Sequence, residues 1–422
     1  MNRRILGILL ALVLLGSAGC GGASGSSAAS AQETLRKYGS NYRADMETPE
    51  DGHLFGMCYL AWEGIGNGID YQKALQLMKN LGVQSIRHWM HFSYYMEDYQ
   101  TFKPEAVEQM HDILAAMREQ GFQVIGMSHV NWSLEFGRFG AGKPVRQPWE
   151  GSDYYRWLEC YEETWYLVAE EFPEITYWEI DNEINNKDFM YTEGKFGEKL
   201  STQELAALSA DMLFYASRGI HRANPNAVTV MGGIVDPLGL GIPETDTGTT
   251  MVNFMEALYD AIESGDHGSF YPDDFFQVAA WHPYYYQGKA DDYFVQGNNR
   301  IYEVIRRREG KDKKVFLTEF GWNESIWGEE NIVEAMRDLY TVIAEQMPYV
   351  ESLHYFRAFD NISNNGELAG MFYDPNPGRI DVMPGSDVRR TPGAPKPFAY
   401  AYQQAAGGMG SLDVLMTPAE NP

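Results

Sequence analysis

Cysteine is nearly absent from this chain: Cys20, Cys58 and Cys160 are the whole complement in 422 residues. Three are too few for a disulfide framework. Cys58 and Cys160 fall in runs that read as a strand and an outer helix, so both are expected to be buried thiols. Long apolar stretches are scarce as well. The run Ile5 to Leu15 carries no charge but is too short to span a bilayer as a mature helix. Positive charge is in deficit, with 33 Lys and Arg against 59 Asp and Glu and a formal net charge of −26. Such a field repels nucleic acid and anionic lipid and counts against polyanionic substrates, although its simplest meaning is a solvated acidic surface. The segments beyond the last two strand-like runs contain no Gly-rich phosphate cradle, and the strand ends carry no His and Asp ligand set. Neither a metal nor a cofactor is therefore expected.

What is present begins at the amino terminus. Met-Asn-Arg-Arg followed by the apolar run reads as a signal peptide over residues 1–19. The segment ends Leu15-Gly-Ser-Ala-Gly-Cys20, and small residues before a cysteine resemble the lipobox of bacterial lipoproteins, which implies that Cys20 is lipidated. The residue three places before that cysteine is Ser17 rather than an aliphatic one, which leaves ordinary secretion as the alternative. Gly21 to Ser30 contains only Gly, Ser and Ala, so residues 20–45 read as a flexible tether. The expectation is an exported monomer, on the extracellular face or in the periplasm, touching the membrane only through its lipid.

Residues 46–415 read as one α/β catalytic domain. Strand-like runs lie near Leu54–Tyr59, Gln84–Trp89, Gln123–His129, Thr176–Asp181, Ala227–Gly232, Phe276–His282, Lys314–Glu319 and Ser352–Phe356. Amphipathic segments fall between them, including Tyr71–Leu81, Pro104–Gln120, Tyr154–Glu171, Thr202–Arg222, Val252–Ser264 and Asn331–Glu345. Eight strand-then-helix units predict a closed (β/α)8 TIM barrel rather than an open sheet, because only closure brings the fourth, sixth and seventh strand ends together. The connections after strands are the long ones, as at Val130–Gly151 and Arg357–Pro395. Insertions on one face mark it as the functional face.

Two strand ends present a carboxylate, in Tyr177-Trp-Glu-Ile-Asp-Asn182-Glu183 and Val315-Phe-Leu-Thr-Glu319-Phe-Gly-Trp322. Cleaving a glycosidic bond with retention needs two carboxyls about 5 to 5.5 Å apart, one to attack the anomeric carbon and one to protonate the leaving oxygen. Asn-Glu after the fourth run and Thr-Glu-Phe-Gly at the seventh resemble glycoside hydrolase clan A, the retaining enzymes on this barrel. The resemblance implies Glu183 as general acid/base and Glu319 as nucleophile. Arg87, ending the second run, is placed to keep Glu319 ionised, with Tyr284 adding a hydrogen bond, while Glu183 beside that charge is expected to stay protonated. Once Glu319 becomes a neutral ester the repulsion vanishes and Glu183 can act as base. The clan's order also implies site roles for His129, for Asn182 at the sugar's 2-hydroxyl, and for His282 and Tyr284, which share strand parity.

One position departs from the clan, where a tryptophan usually ends the eighth strand and floors the cleaved sugar's subsite. Here Leu353-His-Tyr-Phe356 stands, and Phe356 is the expected substitute. Trp62, Trp132 and Trp322, at strand ends or beyond them, are the aromatics assigned to substrate, since a ring buries the apolar face of a pyranose. The expected partner is thus a neutral carbohydrate of the β-glucan, β-mannan or xylan class. The chain resembles family 5 cellulases and mannanases, and its Tyr177–Asn186 region and His-Pro-Tyr also resemble family 39. A barrel that binds surface glycan without cleaving it is the alternative. Its mark would be loss of one carboxylate, and both are present.

Overall fold

The computed structural model describes residues 54–60, 70–128, 134–135, 138–139, 143–147, 149–186, 189–192, 200–235, 249–284, 292–360, 368–374 and 391–413. The expected signal peptide, Cys20 and the tether lie outside them. Eight strands carry the fold: β1 (Phe55–Leu60), β2 (Ser85–Trp89), β3 (Gln123–Ser128), β4 (Tyr177–Ile180), β5 (Val228–Met231), β6 (Ala279–His282), β7 (Val315–Phe320) and β8 (Val350–Tyr355). Each falls on one of the runs read from the sequence. The helices that follow them in turn are α1 (Tyr71–Leu81), α2 (Pro104–Glu119), α3 (Asp153–Glu171), α4 (Thr202–Ala223), α5 (Thr249–Glu263), α6 (Asp292–Glu309), α7 (Glu329–Gln346) and α8 (Pro397–Ala406).

The strands pair in parallel in the order β5-β4-β3-β2-β1-β8-β7-β6. Two contacts join the ends of that row. Val230 bridges Val278, and a two-residue strand, Ile234–Val235, pairs in parallel with Trp281 and His282. The sheet therefore closes, and the chain is an α/β protein built as a (β/α)8 barrel.

Local sequence explains the elements. In α1 the buried Ala74, Leu75, Leu77, Met78 and Leu81 form one stripe at helical spacing; the Asp70 side chain accepts from the Lys73 N–H at its start, and Gly82 ends it at φ 87°. A reciprocal Ser201/Glu204 capping box opens α4. The main apolar layer lies between strands and helices and includes Trp157, Trp165 and Trp178. A smaller cluster of Ile125, Tyr177, Val228, Val230, Val278, Ala280 and Phe316 packs separately, from β3 to β7 and the residue that precedes β6, as barrel interiors fill. Ser85 and His354 also approach within 3.0 Å. Gly56 is required beside them, because a Cβ there would lie 2.5 Å from the His354 ring.

Some features differ from expectation. Helix α6 fills the sixth strand-then-helix unit without a segment singled out for it in the sequence, and a small antiparallel pair, Leu134–Glu135 with Arg138–Phe139, occupies the loop after β3. Cys58 is buried, but Cys160 is part-exposed. It borders the buried stripe of α3 formed by Trp157, Leu158, Tyr161 and Trp165 rather than lying within it. No helix among the described residues is long and apolar enough to cross a membrane.

Candidate active site

Two local departures from regular strand geometry aim the carboxylates. Beyond β4 the chain turns sharply, with Asp181 at φ 68° and Glu183 at φ 46°, left-handed conformations that cost L residues about 1–2 kcal/mol each. The turn is tied down on several sides. Asp181 N–H donates to the Ser128 carbonyl (2.9 Å), Asn182 N–H to Asp181 Oδ1 (2.8 Å), and Asn186 N–H to the Glu183 carbonyl (2.7 Å). The buried Lys143 ammonium stands 3.6 Å from Asp181 Oδ2. In β7 the register against β8 shifts between Leu317 and Phe320. Such an irregularity re-aims side chains, and the consecutive Thr318 and Glu319 side chains both reach the polar centre.

That centre is organised around Arg87, which is wholly buried at the third position of β2. Its Nη1 donates to Glu319 Oε1 (2.5 Å), its Nη2 to Asn182 Oδ1 (2.7 Å) and Glu179 Oε1 (3.0 Å), and its Nε to Glu179 Oε2 (2.5 Å). Burial pulls the guanidinium down, but the charges of Glu179 and Glu319 outweigh it and hold Arg87 well above the usual arginine value. Arg87 is a permanent cation. The Tyr284 hydroxyl donates to the other Glu319 oxygen at 3.1 Å. Burial first, and then the Glu319 charge, push that phenol well above the ordinary tyrosine value, so it remains a donor. Glu183 meets the Asn186 amide at Oε2 (2.6 Å) and His282 Nδ1 at Oε1 (3.3 Å). One oxygen of Glu183, one of Glu319 and one His282 nitrogen all lie within 4.8 Å of one another. So close an approach of single oxygens fits the carboxyl pairs of about 5–5.5 Å found in retaining glycosidases.

The same three groups offer ligand atoms at cation-site spacing. The Arg87 guanidinium beside Glu319 already supplies the balancing charge and would oppose a second cation there.

The structure thus brings Arg87, Asn182, Glu183, His282, Tyr284 and Glu319 together. His129, Trp62 and Trp132 lie outside the described residues. Phe356 is part-exposed at the end of β8, with its N–H on the Phe320 carbonyl (2.7 Å) and the Arg357 guanidinium 5.6 Å from its ring. Trp322 corrects the sequence reading. It is 2% exposed and packs edge-on to Phe320 (centroids 4.9 Å) and near Tyr355 (6.2 Å), so it offers no face to a sugar. Trp281 is likewise buried, its Nε1 donating to Asn298 Oδ1 at 2.6 Å.

Sequence reasoning missed Glu179, Thr318, Asp181 and Lys143. Parity could have found Glu179. It shares a face of β4 with Tyr177, and a carboxylate in a strand buried on both sides must have a partner.

A closed parallel barrel with two carboxylates meeting at the ends of its fourth and seventh strands defines the class of clan A retaining glycoside hydrolases. Residues 44–349 match the family model described as Cellulase (glycosyl hydrolase family 5), and the chain belongs to that family. No curated protein sequence matches it. Among solved structures it is similar to a family 39 glycoside hydrolase from the gut symbiont Bacteroides cellulosilyticus WH2, with 17% identity and a TM-score of 0.54, covering 86% of this chain and 65% of that one. It is also similar to a GH5_18 protein from Bifidobacterium longum subsp. infantis (16% identity, TM-score 0.55, 85% of this chain and 79% of that one). A third is β-glycosidase BGL167 (15% identity, TM-score 0.54, 89% and 99%). These likenesses concern the fold. The chain is a glycosidase of clan A.

Proposed function

We propose that the protein hydrolyses β-glycosidic bonds of a neutral oligo- or polysaccharide, of the β-glucan, β-mannan or xylan class, by double displacement. The observation that carries this reading is the approach of Glu183 and Glu319 to within 4.8 Å. Glu319, paired with Arg87 and Tyr284, attacks the anomeric carbon as Glu183 gives its proton to the departing glycosidic oxygen. The sugar is then an ester of Glu319. Glu183, now a carboxylate, takes a proton from water, the water oxygen bonds to the anomeric carbon, and Glu319 leaves. Asn182, held by Arg87, faces the sugar's 2-hydroxyl, and Phe356 serves as the stacking surface. The net acidity of the chain supports a neutral substrate over a polyanionic one.

The test is a panel of aryl β-glycosides and soluble polysaccharides run with wild type, Glu183→Ala and Glu319→Ala, the first-formed anomer being read by proton NMR. Wild type should release product of retained configuration, and Glu319→Ala should fall to background. Glu183→Ala should keep activity only on glycosides with good leaving groups. Turnover that survives Glu319→Ala, or an inverted first product, would remove the assignment. For the expected export, Cys20→Ser should move the protein from the membrane fraction to the soluble one; an unchanged distribution would rule out the lipid anchor.

A further inference from the structure

Hydrogen-bond polarity in the buried cluster has a direction that can be followed atom by atom. It starts at Glu179, whose side chain is 0% exposed. Among the described residues, all four contacts to its oxygens come from donors: Arg87 Nε and Nη2, the Gly233 N–H at 3.1 Å and the Thr318 hydroxyl at 3.0 Å. Glu179 therefore acts purely as an acceptor, and the Thr318 proton points at it. A hydroxyl whose one proton is committed can only accept elsewhere. The other partner of Thr318 Oγ1 is His282 Nε2 at 3.1 Å, so that nitrogen must carry a proton. In neutral imidazole the opposite nitrogen, Nδ1, is then a lone pair. Nδ1 faces Glu183 Oε1 at 3.3 Å, while the Asn186 amide donates to Glu183 Oε2 at 2.6 Å.

We propose that Thr318, anchored by Glu179, is a positioning residue that fixes His282 as the Nε2–H tautomer and thereby places the Glu183 acid proton on Oε1, between Nδ1 and the scissile bond. The inference rests on the assignment of Glu183 as acid/base. Its consequence covers both chemical steps. A lone pair opposite Oε1 favours the protonated carboxyl, whereas an N–H there would favour the carboxylate and remove the acid. After the proton has gone to the leaving oxygen, the same lone pair faces a carboxylate and increases its demand for a proton from water. Gly233 is part of the device. A Cβ at that position would lie 2.2 Å from His282 Nε2 and 2.7 Å from Thr318 Oγ1, separating the pair. Among the described residues, the other charged or titratable groups around the imidazole are Glu319, with Oε2 3.7 Å from Nδ1, Tyr284, whose ring centroid is 6.2 Å away, and Arg87 beside Glu319. Cys58 also approaches this floor, its thiol donating to the Thr318 carbonyl at 3.3 Å.

Two measurements test the proposal. In two-bond proton–nitrogen spectra of nitrogen-15 histidine-labelled enzyme, with His282 assigned by its loss in His282→Asn, wild type and Thr318→Ser should show Nε2 protonated and Nδ1 unprotonated at the pH of maximal hydrolysis. Thr318→Val and Gly233→Ala should not. An imidazolium or an Nδ1–H pattern in wild type overturns the proposal. Kinetically, Thr318→Val should slow a phenyl β-glycoside at least about tenfold more than the matching dinitrophenyl glycoside, whose leaving group needs no proton, and Thr318→Ser should restore the wild-type ratio. Equal slowing of both substrates would reduce Thr318 to a structural role and sink the idea. Those outcomes leave the Glu183 and Glu319 assignments intact. Failure of that reading shows separately, as activity surviving their alanine variants.

Discussion

At the scale of single residues, the centre is a charge arrangement in which each group has a reason to be there. Arg87 sits between Glu179 and Glu319 with its side chain out of contact with solvent, and breaking such a pair from one side leaves an uncompensated buried charge. Tyr284 is the part that can be removed with least disturbance. Its hydroxyl donates to Glu319 and is held protonated by burial and by that carboxylate's charge. Tyr284→Phe keeps the ring and deletes the donor. A hydrogen bond to a charged acceptor contributes about 1.5–3 kcal/mol, so kcat/KM on an aryl β-glycoside should fall about 10- to 150-fold, with thermal stability little changed. A loss below about threefold would show that Arg87 alone sets the state of Glu319. The residues legible in the sequence were those at strand ends within a recognisable order, Asn182, Glu183, His282, Tyr284 and Glu319. Thr318 was not legible, because it lies beside the motif carboxylate Glu319 and its importance comes from partners on other strands; Glu179 left only the trace of a carboxylate in a strand buried on both sides. Trp322 was misread for the converse reason. Position in the sequence placed it at the barrel mouth, but its ring packs edge-on against Phe320 and near Tyr355.

At the scale of elements, tertiary contacts override local preference at identifiable places. Helix α6 contains Gly297, Asn298 and Asn299, poor helix formers, so the pattern gives little sign of it. The structure supplies the reason for one of them. Asn298 is fully buried, its amide donating to the Phe294 carbonyl at 2.8 Å and its oxygen accepting from Trp281 Nε1 at 2.6 Å, which fastens α6 to β6. Asn298→Ala improves helix propensity yet orphans a buried indole N–H, so it should destabilise the fold by about 1–3 kcal/mol in urea unfolding; a neutral or stabilising result would contradict this account. A second fastening lies under the loops after β7 and β8. The buried Lys396 ammonium, next to α8, stands 2.6 Å from Asp360 and 2.9 Å from Glu324. Burial raises Asp360 despite Lys396, from 3.8 to about 6. The folded state therefore binds this proton more tightly than the unfolded one, and the stabilisation present below the unfolded value is lost as pH climbs through about 6. Wild type should thus lose on the order of 3 kcal/mol relative to Asp360→Asn between acid and neutral pH. Parallel stability profiles for the two proteins would show that Asp360 does not titrate in that window.

At the scale of the molecule, closure of the barrel was legible, but the way it closes was not. Eight alternating runs announce eight strands, whereas the join between β5 and β6 depends on one bridge at Val230 and a two-residue strand beyond Gly232 and Gly233, too short to show any period. The acidic excess is also a property of the whole chain, and it makes a prediction that no single residue carries. With a net charge of −26, the surface potential opposes approach of a polyanion and is indifferent to a neutral chain, and salt screens it over about 10 Å at 0.1 M. A neutral polysaccharide that the enzyme hydrolyses and its lightly carboxymethylated derivative therefore form a matched pair. At low ionic strength kcat/KM should be lower for the anionic polymer. Added salt should raise that value toward the neutral one while leaving the neutral polymer's rate flat, because the repulsion acts on encounter rather than on chemistry. If both substrates respond to salt alike, the acidity is only a solubility device, and the proposed preference for neutral glycans would have to come from the subsites alone.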